Sequence, residues 1–129
     1  MTVAFVDTSV LIHLYRKHQA ALAWFNAQNE QLSLSSIAWL EFMDGAPSKK
    51  GQSLCLSILS KFEVIRLSET DQDWAMQQLQ RHRLARGVHP DDCLIASACS
   101  RLQVPIYTQN IKDMKKLLPD ALVVRPFVA

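Results

Sequence analysis

Glycine is scarce in this chain. Only Gly45, Gly51 and Gly87 are present, and none stands in the spacing of a dinucleotide-binding turn or a P-loop. Nucleotide binding through a glycine-rich turn is thereby excluded. Cysteine is scarce and odd in number: Cys55, Cys93 and Cys99. No pair has metal-ligand spacing, and Cys93 and Cys99 fall on different sides of any helix. Three small buried hydrophobes in a reducing compartment are expected. No apolar run approaches the ~18 residues of a membrane span. No basic N-terminal region leads into a long apolar segment. A cytoplasmic protein with no membrane partner is the expectation. Strong net charge is missing too. Fourteen Lys and Arg against 12 Asp and Glu leave +2, which neither requires nor excludes nucleic acid, so local clustering must decide. No Ser-His-Asp or Cys-His arrangement, internal repeat or linker is legible.

What is present suits one domain over residues 1–129. The chain is 49% hydrophobic and 20% charged, enough to bury a core without disulfide or metal staples. Apolar residues from Thr2 to Val6 read as a buried strand that stops on Asp7. Two helices follow, to about Arg16 and over 18–28. Gln31–Ser35 alternates as a strand. Ser35 or Ser36 caps a helix to Asp44, ended by Gly45 and Pro47. Ser48–Phe62 reads as a helix and Glu63–Leu67 as a strand. Ser68-Glu69-Thr70-Asp71 is a capping box, opening a helix that stops at Gly87. Pro90 suits the first turn of the next helix, whose run Cys93–Cys99 is small or apolar nearly all round. Val104–Tyr107 is a strand, a helix follows to Leu118, and Leu122–Val124 is the last strand. The alternation predicts a three-layer α/β/α sandwich with a mainly parallel central sheet.

Four acids occupy comparable places. Asp7 ends a strand. Glu41 interrupts an apolar face with Ile37 and Leu40, since i, i+3 and i+4 are helix neighbours. Asp92 points inward with Ile95, Ala96 and Cys99, while Asp91, about 100° round the helix, is expected to be solvated. Asp113 lies in the first turn of a late helix, where it and Asn110 also read as a reciprocal cap. Asp44 is an outside candidate. In a parallel sheet with right-handed crossovers the four positions share one edge. Such a cluster repels itself unless cations neutralise it, and hard oxygen ligands suit Mg²⁺ or Mn²⁺. That chemistry points to phosphodiester hydrolysis, where a divalent cation activates water and stabilises charge on phosphate. Arg81, Arg83, Arg86, Lys112, Lys115 and Lys116 are the candidates to attract a nucleic-acid backbone.

Together the stretches Val6-Asp7-Thr8-Ser9-Val10-Leu11-Ile12, Glu41-Phe42-Met43-Asp44-Gly45-Ala46, Asp92-Cys93-Leu94-Ile95-Ala96 and Thr108-Gln109-Asn110-Ile111-Lys112-Asp113 resemble the motifs of PIN-domain nucleases, and within these the VapC toxins of bacterial toxin–antitoxin pairs. The resemblance covers essentially the whole chain, in order. It implies an α/β/α sandwich and a Mg²⁺- or Mn²⁺-dependent endoribonuclease. By motif it makes Asp7, Glu41, Asp92 and Asp113 the acidic residues, with Asp7 and Asp92 direct metal ligands, Asp113 a further expected ligand, and Glu41 completing the shell or orienting the attacking water. Ser9 and Asn110 match supporting polar positions, and Thr108 sits in the same motif. It also implies a homodimer and inhibition by a small cognate antitoxin. Met114 departs from the aromatic residue common after the last acid. A catalytically silent PIN-like module binding RNA or protein is the alternative, and DNA cleavage ranks third.

Overall fold

The computed structural model describes residues 1–129. Its five strands are β1 (Phe5–Val6), β2 (Ser33–Ser35), β3 (Glu63–Ile65), β4 (Ile106–Tyr107) and β5 (Val123–Val124). All pairings are parallel, in the order β3-β2-β1-β4-β5. The helices are α1 (Thr8–Tyr15), α2 (Gln19–Asn26), α3 (Ser36–Asp44), α4 (Lys49–Leu59), α5 (Glu69–Arg86), α6 (Pro90–Leu102) and α7 (Ile111–Met114), with a 3₁₀ turn at Asp120–Leu122. The element types and their order agree with the sequence pattern.

Local chemistry sets the helix ends. Ser35 caps α3 by accepting from Ile37 N. Ser68 and Asp71 form the reciprocal capping box of α5. Gly87 ends α5 with φ +69°, a left-handed conformation open to glycine at no steric cost. Two expectations fail. The strands pair over two or three residues each, so apolar residues such as Leu32 are buried without belonging to the ladder. The last long helix ends at Met114 rather than Leu118, passing into i→i−3 bonds, Lys116 N to Asp113 O and Leu117 N to Met114 O. Leu117 and Leu118 remain buried, which is why their apolar pattern read as helix.

The sheet separates two cores. Ala4 and Val6 pack with Val10, Leu11, Leu34, Phe42 and Ile58 on one side. Phe5 packs with Ile95, Ala96, Cys99, Ile106 and Met114 on the other, as the period of two in a strand requires. Helices thus cover both faces, α1, α2 and α4 on one and α5, α6 and α7 on the other. All three cysteines are buried and free.

The chain builds outward from β1 to β2 to β3, then returns past β1 to lay down β4 and β5. The reversal falls between β1 and β4. In open parallel sheets the crevice at such a reversal, outside the strand carboxyl ends, is where ligands bind.

Candidate active site

Asp7 and Thr108 stand on the two sides of that crevice, each immediately after its strand. Asp7 is the N-cap of α1 and is 5% exposed. Its Oδ1 accepts from Thr8 N at 2.9 Å. Its Oδ2 accepts from Ser9 Oγ at 2.9 Å and from Thr108 Oγ1 at 2.7 Å. Thr108, fully buried, accepts in turn from Asn110 N at 2.8 Å, and Gln109 N donates to Ser9 Oγ at 3.0 Å. Hydroxyls therefore stitch the first turn of α1 to the loop after β4. They fix the Asp7 side chain without neutralising it.

The other acids close round this pair. Thr8 Oγ1 donates to Glu41 Oε1 at 2.8 Å, tying α3 to α1. Glu41 does not lie within a stripe of Ile37 and Leu40, as the pattern suggested. The buried stripe of α3 is Ala38 and Phe42, while Leu40 is exposed. Glu41, three residues from Ala38, flanks that stripe and faces the cleft. Its carboxyl is raised to about 7, first by burial, then by a hydrogen bond with Asp91 and the charges of Asp91 and Asp7, against the pull of Thr8. Asp92 is raised to about 6, by burial and then the charges of Asp7 and Asp113, with His89 opposing. Asp113 is lowered by its 2.9 Å bond from Lys116 Nζ and by Asn110, which outweigh its burial.

Asp91 is exposed, as the sequence pattern predicts, and it also lies close enough to Glu41 to raise its carboxyl. The doubled acid was the only signal for this. Asp44 is exposed at the far end of α3. Of the basic candidates, Arg81, Arg83, Lys112 and Lys115 are exposed, and Arg86 Nη1 donates to Lys116 O at 3.2 Å, bringing the end of α5 to the α7 side. Lys116 is not free for phosphate, since it already pairs with Asp113.

Oxygen-only donors, two carboxyls pushed up by burial and by neighbouring acids, and no cationic side chain on Asp7 fit a hard divalent cation. As the side chains stand, no three acidic, His or Cys groups enclose a metal position. An open set suits a cation that keeps several waters.

The PIN domain family model matches residues 4–117, and the chain belongs to that family. Ribonuclease VapC of Rickettsia bellii (strain RML369-C) is 28% identical over 122 residues, covering 87% of this chain and 88% of that protein. A toxin–antitoxin complex from Klebsiella pneumoniae contains a chain that superposes with a TM-score of 0.78 at 26% identity, over 96% of this chain and 98% of that one. Mycobacterium tuberculosis VapC20, a sarcin-ricin loop cleaving toxin, shares the fold with a TM-score of 0.74 at 14% identity, over 91% of this chain and 97% of its own.

Proposed function

We propose that this PIN-domain protein is a Mg²⁺- or Mn²⁺-dependent endoribonuclease, acting in the cytoplasm as the toxin of a toxin–antitoxin pair. The observation that carries this reading is that Asp7 at the β1/β4 reversal lies near enough to Glu41 and Asp92, and Asp113 near enough to Asp92, for their charges to act on one another. The ribonuclease and toxin–antitoxin names of its relatives support the substrate class and a small antitoxin as partner. A homodimer is proposed from the family resemblance alone.

Asp7, Asp92 and Asp113 would hold the cation, which when bound supplies an acidified water and stabilises charge on the phosphate. The chain's own residues do the rest. Thr8 N, Ser9 and Thr108 hold Asp7 in one orientation. Asn110 secures Thr108 through its backbone and Asp113 through its side chain. Glu41, held toward the cleft by the Thr8 hydroxyl, orients the attacking water and takes its proton. Arg81, Arg83, Arg86, Lys112 and Lys115 draw in the RNA backbone. Neutralising the three arginines is expected to weaken binding equally for all sequences and to flatten its salt dependence.

The test is RNA cleavage by the purified protein with Mg²⁺, with EDTA, and as the Asp92→Ala variant. Cleavage should need the metal and fall by at least about 100-fold in the variant. Cleavage that survives EDTA or Asp92→Ala would overturn the assignment. Expression of the wild type but not Asp92→Ala should arrest growth, and co-expression of the cognate antitoxin should relieve it.

A further inference from the structure

A second recess opens from the acid cluster and is not used by the chemistry above. It has a volume of about 280 Å³ and is walled by α1, α3 and α4. Thr8 and Glu41 form one end, in common with the acid cluster, and Arg16 stands at the other. Between them Ile12, Tyr15 and Phe42 make an apolar middle, with Tyr15 and Phe42 packed edge to face at 6.2 Å. Thr8, Ile12, Tyr15 and Arg16 lie on one side of α1, and at 1.5 Å per residue the recess runs about 12 Å along it. Its floor is tight. A methyl group on Gly51 would stand 2.7 Å from Pro47 Cδ and 2.8 Å from the Tyr15 hydroxyl.

We infer that this recess is a specificity subsite, receiving the base of the nucleotide next to the cleaved bond while Arg16 contacts the following phosphate. The inference rests on the ribonuclease reading. Three observations favour a nucleotide. The recess shares two walls with the acid cluster, so what fills it is continuous with what is cut. Its polarity runs from carboxylate through apolar surface to guanidinium, the order that a phosphate, a base and a second phosphate meet along a strand when a cation covers the acids. Arg16 takes part in neither salt bridge of the molecule and keeps its donors for phosphate, to which guanidinium binds in bidentate fashion. A recess of about 280 Å³ lies just below the usual range of small-ligand sites, ~300–1,000 Å³. A protein helix, about 10 Å across, does not enter it.

Two measurements test the subsite. Ile12 is 38% exposed, so Ile12→Trp fills the recess without invading the core. With Mg²⁺ present, which covers the acids and leaves a mononucleotide with no phosphodiester bond to cut, amide NMR shifts at Ile12, Gly45 and Gly51 are followed while each of the four nucleoside 5′-monophosphates, or ribose 5-phosphate, is added. At least one nucleotide should bind more tightly than the sugar phosphate, and Ile12→Trp should abolish the difference. In the second measurement, cut sites in a randomised RNA pool are sequenced with Mg²⁺ present. Wild type should show a base preference of about tenfold beside the cut. Ile12→Trp should erase that preference, and Arg16→Ala should raise KM with little change in kcat. Equal binding of nucleotides and ribose 5-phosphate, or an identical cut-site profile in Ile12→Trp, overturns the subsite. So does Ile12→Trp losing only its inhibition by the antitoxin, which would assign the recess to protein. If the wild type cuts no RNA, the ribonuclease reading fails, and the nucleotide shifts decide the recess by themselves.

Discussion

Asp7 and Asp71 are both aspartates, both at the start of a helix, and 5% and 1% exposed. Asp71 faces a cation. Arg101 Nε and Nη2 reach its two oxygens at 2.7 and 3.1 Å, and Ser68 N donates at 3.0 Å. Burial alone would raise its carboxyl, but Arg101 and Ser68 outweigh burial and hold it below the usual range. Asp7 faces only hydroxyls, one backbone N–H and other acids. Burial of a carboxylate therefore does not distinguish structure from function. The charge of its partners does: Asp71 has its cation within the fold, whereas Asp7 has none.

Replacing each aspartate by asparagine separates the two most sharply. Asp7→Asn is expected to lower RNA cleavage by at least about 100-fold while the thermal midpoint stays unchanged or rises, since repulsion with Asp92 is relieved. Asp71→Asn should leave cleavage intact below the unfolding transition and cost about 2–3 kcal/mol in denaturant unfolding, the scale of hydrogen bonds to a charged group. Equal loss of activity in both would erase the distinction. Thr108→Val lies between them, because its hydroxyl serves both the fold and Asp7. About 1.5–3 kcal/mol of stability and about tenfold in kcat should go together.

The pH response should have opposite signs at the two places. Glu41 moves from 4.5 to about 7 and Asp92 from 3.8 to about 6 on folding, so the native state binds the extra protons. In EDTA their contribution should be most favourable in acid and should decline as pH rises through those intervals. Asp71 is lowered from 3.8. Its contribution is full above that value and is lost as pH falls through the folded pKa. Denaturation midpoints across pH, with Glu41→Gln flattening the upper limb alone, check both. The smallest effect is expected at Lys116. Lys116→Ala removes a part-exposed pair worth at most about 1 kcal/mol, yet it should lower the Mg²⁺ concentration for half-maximal cleavage, because the lysine competes with the cation for Asp113. An unchanged requirement would place Asp113 outside the metal shell.

Much of this was legible in sequence, because helix caps and strand ends are local events. Ser35, Ser68 and Gly87 mark their helix ends by side-chain and backbone chemistry alone, and an acid directly after a buried strand is placed by the topology of any parallel sheet. The strand lengths were not legible, since apolar runs report burial and not pairing. The face of α3 was misjudged because Leu40 is more apolar than Ala38 yet lies exposed over Val64 and Arg66. Arg101 on Asp71, Lys116 on Asp113 and Asp91 on Glu41 are meetings of long or terminal side chains. Periodicity fixes the side of a helix, not the reach of a side chain to its partner.

The bond from Thr108 to Asp7 joins residues 101 apart, and that span has a consequence in time. At roughly 5–20 residues per second, a ribosome needs about 5–20 s after Asp7 to add Thr108, and further seconds to free β4 from the exit tunnel. Until then β1 lacks β4 and Asp7 lacks the hydroxyl of Thr108. The order of synthesis thus gives any partner made earlier a head start over the finished enzyme.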